Sequence, residues 1–299
     1  MPLLSSSVGT CEKSSPIIVP TRWLLAYAAA LGVSEELYAD DARSEGIEAL
    51  PFLCTRFEWI VQQKLRVHPA LGLDAEEARR GVHFLQDSRF LAPIRPGMMV
   101  AIQGEIREVR EVRAGALIRY AYILRDLEKG TDLVQTRSMS IYRDVSVKGE
   151  ARTASDSIAT KNRTERIDLA NGTIVSIEVS RAFPQIYTEC ADIWNPIHTE
   201  RRFALGAGLE DIILHGTATW ALAGRELLSA YAADHGSRLS RLTAKFTGNV
   251  VPPSILKLRH AELPQQPGVV NFDVLGGNCE SVLSDGVAVF TDSLTINSG

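Results

Sequence analysis

The sequence reads as an α+β protein in two similar halves, each an antiparallel sheet wrapped around a central helix. Three features predict this class. Two sets of four strand-like runs occupy residues 82–142 and 239–290, with turn residues between neighbours. A segment of helical apolar spacing stands ahead of each set, over Val19–Val33 and Gly216–Ala233. Between the halves, Glu150–Arg166 is rich in Ser, Thr, Lys, Arg and Asp and shows neither apolar period. Residues 151–166 are therefore expected to link a first domain at 1–150 to a second at 167–299.

In the first half, Pro20-Thr21 precedes the helical pattern, with Thr21 as candidate cap and Trp23, Leu24, Tyr27 and Leu31 as the buried stripe. The stretch from there to residue 81 has no clear period and reads as irregular. Val82–Leu91, Met98–Val112, Ala116–Arg125 and Leu133–Tyr142 then form a meander. Alternation is clearest at Ile118, Tyr120, Tyr122 and Leu124, one face of a strand, with turns at Ala114-Gly115 and Lys129-Gly130. In the second half Thr173–Val179 reads as a strand. After a loop comes the helix from Gly216, with Trp220, Gly224, Leu227, Leu228 and Tyr231 on one stripe. Its Ala and Gly residues suit a closely wrapped sheet, because small side chains let two backbones approach. The strands Leu239–Phe246, Ile255–Ala261, Val269–Leu275 and Glu280–Phe290 follow, broken by Gly276-Gly277 and Asp285-Gly286. Arg95-Pro96-Gly97 and Val251-Pro252-Pro253 hold equivalent places at the start of a strand, the mark of an internal duplication.

At 299 residues and 45% hydrophobic content, the chain can bury a sizeable core. The net charge of −4 is spread without a basic stripe, which argues against nucleic acid and anionic membrane surfaces as partners. Trp23–Val33 and Trp220–Ala233 are too short to span a bilayer. Met1–Lys13 lacks the order of a secretion signal, so a cytoplasmic location is expected. The four cysteines, Cys11, Cys54, Cys190 and Cys279, have neither disulfide-framework nor zinc spacing. Gly206-Ala207-Gly208 and Gly276-Gly277 lack the strand-to-helix setting of a phosphate loop, and Ser138 lacks a nucleophile elbow. No cofactor or metal is expected.

The most informative residues are Asn195-Pro196-Ile197-His198 and, further on, His215-Gly216-Thr217. Pro196 fixes its own backbone and disfavours helix at Asn195, so His198 is held in a rigid turn. An imidazole titrates near neutrality, which suits it to take and return a proton. Gly216 stands at the expected start of a helix, where the first amides lack helical partners and carry partial positive charge. Such amides hold a developing oxyanion, and Gly has no side chain to block a thioester carbonyl. A lone histidine beside a turn is ordinarily a surface residue; the pairing with Gly216 sets His198 apart.

Tyr187 to Ala221, with Cys-Ala-Asp-Ile-Trp-Asn-Pro-Ile-His and then His-Gly-Thr-Ala-Thr-Trp-Ala, resembles the hydratase signature of the MaoC-like, (R)-specific enoyl-CoA hydratase family. Tyr27–Val33 and Phe90–Gly97 resemble, more weakly, the first hot dog of its two-domain members. The resemblance implies a double hot-dog fold whose first half lacks the motif and shapes the acyl pocket. It implies addition or removal of water on a 2-enoyl or 3-hydroxyacyl thioester of coenzyme A or an acyl-carrier protein. His198 carries over as the catalytic histidine, Asn195 as the polar residue of its loop and Gly216 as the oxyanion amide. Tyr187, Trp194, Thr217 and His215 are the candidates for lining the substrate, although the aromatics at this spacing are packing residues first. His83 is a candidate only where the first half contributes to the pocket. Hot-dog proteins commonly pair, and a two-unit chain can form the pair internally, so monomer and homodimer both fit.

One position departs from the family pattern. The Asp expected two residues before Asn195 is replaced by Ile193, and Asp192 stands one residue earlier. A one-residue shift turns a side chain by about 100° on a helix, or to the opposite face of a strand. Three arrangements satisfy the chemistry: a local bulge brings Asp192 inward, another carboxylate replaces it, or one imidazole handles both protons. The reading expected first is a hydro-lyase. An isomerase, epimerase or cyclase using the same pocket without water chemistry is second, and a non-catalytic acyl-binding protein third.

Overall fold

The computed structural model describes residues 1–155, 165–232 and 237–292. Its main elements, in chain order, are α1 (Thr21–Ala30), α2 (Cys54–Leu65), β1 (Gly81–Phe90), β2 (Met99–Val112), β3 (Gly115–Asp126), β4 (Asp132–Arg143), β5 (Thr173–Val179), α3 (Phe183–Ala191), α4 (Gly216–Tyr231), β6 (Ser237–Phe246), β7 (Ser254–Glu262), β8 (Val269–Leu275) and β9 (Ser281–Asp292). They gather into two compact units. One comprises Met1–Ile18, Phe57–Ala92 and Met98–Arg163; the other comprises Val19–Arg56, Pro93–Gly97 and Thr164–Gly299. The expected linker falls mainly outside the described residues. Within its described part, Arg152–Thr153 pairs with Val109 and Glu108 of β2.

In the first unit the sheet runs β1–β4–β3–β2, all antiparallel, with Cys11–Lys13 beyond β2. Ile118, Tyr120, Tyr122 and Leu124 are buried as their alternation predicts, and Leu117 before them and Arg119 and Ala121 between them are buried too. The covering helix is α2, whose Phe57, Val61 and Leu65 recur every four residues and are fully buried. It lies close to β2 at Gly104, where an added Cβ would stand 2.9 Å from both the Tyr122 ring and Val61. This corrects the sequence reading, which placed the first half's central helix at Val19–Val33 and left residues 34–81 irregular. The apolar period of α2 is diluted by Thr55, Arg56 and Glu58, all buried. Glu58 is accommodated there because it accepts hydrogen bonds from Gln86 (2.9 Å) and Thr136 (2.6 Å).

In the second unit the order is β5–β7–β8–β9–β6, again antiparallel. Helix α4 is enclosed by this unit: Ala218 to Gly224 form an unbroken buried run, followed by Leu227. Its small residues permit this. A Cβ at Gly224 would fall 2.3 Å from Phe52 and 2.9 Å from Leu242 of β6. Phe52 meets Trp220 edge-on at 5.6 Å. Helix α1 forms as expected, but Pro20 rather than Thr21 is its cap, with no side-chain hydrogen bond. It packs within this second unit against α3, and the Leu31 carbonyl just beyond it accepts from Arg225 at 2.7 Å.

Candidate functional site

The site begins with α3. Phe183, Pro184, Tyr187, Thr188 and Ala191 are its buried residues, spaced at three to four. The helix stops at Asp192, which takes the left-handed conformation (φ 54°) that ends helices and that Asp tolerates better than most residues. Ile193, in the place of the expected Asp, is buried. Trp194 is 57% exposed. Asn195 then caps a single 3₁₀ turn, Pro196–His198: its side-chain oxygen accepts from the Ile197 amide at 3.4 Å and its carbonyl from the His198 amide at 3.0 Å.

The His198 ring is fixed at two points. Its Nδ1 lies 2.9 Å from the Ile213 carbonyl. A carbonyl only accepts, so Nδ1 carries the proton and Nε2 is the basic nitrogen of the neutral ring. Its face stacks on the ring of His215, with centroids 3.8 Å apart and planes inclined by 27°. His215 is buried, and its Nε2 donates to the Ile193 carbonyl at 3.0 Å beside the Thr188 hydroxyl at 3.2 Å. Its Nδ1 is buried without a hydrogen-bond partner among the described residues, which costs about 1–3 kcal/mol for a polar atom. Burial pushes the His215 imidazole well below its ordinary pKa, and neighbouring His198 pushes the same way. The ring is neutral.

His215 immediately precedes α4, so the His198 ring is stacked on the residue before Gly216. The helical ladder starts with the Ala218 and Thr219 amides, both 3.1 Å from the His215 carbonyl, and the amides of Gly216 and Thr217 stand ahead of it. Gly216 also has a packing reason, since a Cβ there would approach the Phe246 ring to 2.9 Å. Thr217, together with Thr55 and Tyr27, hydrogen-bonds the Tyr187 phenol, whose pKa burial raises. Tyr187 is fully buried and touches the His215 ring at 5.1 Å. Its surroundings are those of a packing residue.

Asp192 is placed differently. Its carboxylate, 71% exposed, meets Arg56 at 2.9 Å. The Arg56 guanidinium is itself nearly buried and lies 3.7 Å over the Trp23 ring. Sequence reasoning missed Arg56 and the Ile193 and Ile213 carbonyls that orient the two histidines. Backbone acceptors leave no residue signature, and Arg56 stands far along the chain. His83 belongs to the first unit, where Nε2 lies 3.0 Å from both the Leu85 carbonyl and the Ser138 hydroxyl; burial moves its pKa down to about 4. A cavity of about 1430 Å³ in the second unit has Leu31, Phe183, Leu222 and Val250 in its wall, along with Ile213, whose carbonyl holds His198; neither His198 nor Gly216 lines it. Among the described residues, no three His, Cys, Asp or Glu side chains are grouped to hold a metal ion.

A helix buried in an antiparallel sheet, with the Asn195–His198 turn set against the start of that helix, is a hot-dog arrangement. Residues 165–268 match the model of the MaoC-like domain family. A stretch of 64 residues is 36% identical to the peroxisomal multifunctional enzyme type 2 of Mus musculus, covering 21% of this chain and 9% of that protein. The MaoC-like dehydratase from Phytophthora capsici superposes with a TM-score of 0.74 at 17% identity, covering 96% of this chain and 97% of that one. The full-length peroxisomal multifunctional enzyme type 2 from Drosophila melanogaster gives 0.71 at 18% identity, covering 94% of this chain and 48% of that one. This chain therefore spans about half of the fly protein. At these identities the structural likeness establishes the fold.

Proposed function

We propose that the chain is a hydro-lyase acting on a 3-hydroxyacyl or 2-enoyl thioester, carried by coenzyme A or an acyl-carrier protein. One observation carries the reading: the His198 imidazole is stacked 3.8 Å from the ring of His215, the residue before Gly216, so a basic nitrogen and a helix N-terminus are neighbours. In the dehydrating direction the Gly216 amide donates to the thioester oxygen as negative charge gathers there, helped by the α4 dipole. That polarisation acidifies carbon 2. His198 Nε2 takes the carbon-2 proton, and its Nδ1–H, held by Ile213, leaves only that nitrogen to react. The same imidazolium returns the proton to the hydroxyl on carbon 3. The C–O bond breaks, water departs and the carbon 2–carbon 3 double bond forms. With Asp192 engaged by Arg56, the single-imidazole route is the one this geometry favours. The relatives named above point the same way at the level of hydratase and dehydratase chemistry.

Replacing His198 by Ala is expected to lower kcat about 10²- to 10⁴-fold, with thermal unfolding unchanged. Full turnover in that variant removes the assignment. A second reading rests on Ile193: without the usual carboxylate, an isomerase that enolises the thioester needs the same imidazole and no water. Turnover in ¹⁸O-labelled water separates the two. Label in the product, or loss of a hydroxyl, marks the hydro-lyase; solvent deuterium at carbon without oxygen exchange marks the isomerase.

A further inference from the structure

Three aromatic rings stand in sequence at the site: His198 against His215 at 3.8 Å, and His215 against Tyr187 at 5.1 Å. The proposed chemistry uses His198 alone of the three, and the middle ring is the one in contact with it. It is 3% exposed, yet it keeps an imidazole whose Nδ1 has no partner among the described residues, where an apolar side chain would avoid that cost. What the imidazole supplies is a flat face and one N–H at a defined angle. The N–H goes to the carbonyl of Ile193, in the bend between α3 and the Asn195–His198 turn. The face goes to His198. Two residues upstream of His215, the Ile213 carbonyl receives the His198 Nδ1–H, so one short segment holds the His198 ring both edge-on and face-on.

Resting on the reading of His198 as the acid/base group, we infer that His215 is a positioning residue, a neutral platform tied to Ile193 against which the His198 imidazole is stacked. The groups facing it are His198 and Tyr187 by their rings, the Thr188 hydroxyl and the Ile193 carbonyl. No carboxylate is among these contacts. Its neutrality matters when His198 holds a proton. A neutral aromatic face attracts the cation, whereas a second imidazolium at that distance would repel it. The stack therefore favours the protonated form of His198, the form that must deliver a proton to the leaving hydroxyl.

Histidine-selective ¹H–¹³C and ¹⁵N NMR tests this without substrate. The six histidines are few enough for His198 to be assigned from the spectrum of His198→Gln. In the unaltered protein, His215 is expected to stay neutral, as the Nε2–H tautomer, from pH 5 to pH 9. Titration of His215 within that range overturns the proposal whatever the variants do. His215→Gln retains a donor but loses the ring, and should lower the His198 midpoint by about 0.5 pH unit, the shift expected from one cation–ring contact. His215→Phe retains the ring and loses the donor, and should leave the midpoint in place. The kcat profile of His215→Gln should move with the midpoint while KM holds. Equal midpoints in the unaltered and Gln proteins, or equal shifts in both variants, overturn the platform role. Turnover that survives His198→Ala instead overturns the functional reading and leaves the titration intact.

Discussion

At the scale of the residue, the site turns on how few side chains do the orienting. Asn195, Pro196 and His198 were legible because turn chemistry is local: Pro196 sets the backbone and the Asn195 oxygen closes the turn. Gly216 was legible as the opening of a helix, but its contact with Phe246 was not, since that ring arrives from a strand thirty positions on. Gly216→Ala should lower activity, and shortening the ring in Gly216→Ala/Phe246→Leu should recover part of it; a double-mutant cycle without coupling argues against the packing account. Asp192 shows the limit of a motif read by position. A carboxylate near the expected place is paired instead with Arg56, a partner that no spacing rule announces. Asp192→Asn is therefore expected to leave kcat within about threefold. It should lower stability by roughly 1 kcal/mol, because a nearly buried guanidinium loses its charged acceptor. A hundredfold loss of kcat without loss of stability would restore Asp192 to the chemistry.

At the scale of the element, periodicity found the nine main strands because each half-sheet buries a definite face, and found α1 and α4 because their stripes are apolar. It missed α2 because three of its buried side chains, Thr55, Arg56 and Glu58, are polar: Thr55 donates to the Phe52 carbonyl one turn back, while Arg56 meets Asp192 and Glu58 accepts from Gln86 and Thr136, all distant in the chain. A local rule counts such residues as exposed. A half-buried histidine makes the β1–β4 pair sensitive to acid. His83 on β1 bonds Ser138 on β4, and its pKa near 4 lies below the ordinary value of 6.5. The folded protein thus binds fewer protons here than the unfolded chain between those two values. Stability is full above pH 6.5 and falls as pH drops toward 4, with buried His215 adding in the same direction. Urea midpoints measured from pH 7.5 to pH 4 should fall, and less steeply in His83→Gln. A parallel fall in both proteins would assign the acid lability elsewhere.

At the scale of the whole molecule, composition marks where the chain is punctuated but not which elements a segment packs on. Val19–Arg56 precedes the first sheet in sequence, yet its contacts join it to the unit built on β5 to β9. It supplies that unit with Leu24, Tyr27, Leu31, Leu50, Phe52 and Leu53, all at 2% exposure or less. Phe52 fills the space beside Gly224 and meets Trp220, the Tyr27 phenol lies 3.4 Å from that of Tyr187, and Glu48 accepts from Arg238 at 2.5 Å. Burying each large apolar side chain contributes about 1.5–3 kcal/mol, so the segment's share rivals the 5–15 kcal/mol by which a domain is ordinarily stable. The MaoC-like match at 165–268 therefore lies in a stretch that lacks part of its own core. Residues 165–299 produced alone should give a chain without a cooperative urea transition and without dispersed NMR resonances. Adding residues 19–56 in trans, as a separate peptide, should restore part of both. A sharp transition in the isolated 165–299 chain, at the midpoint seen in the full protein, would show that α1 and Phe52 only decorate a unit that stands without them.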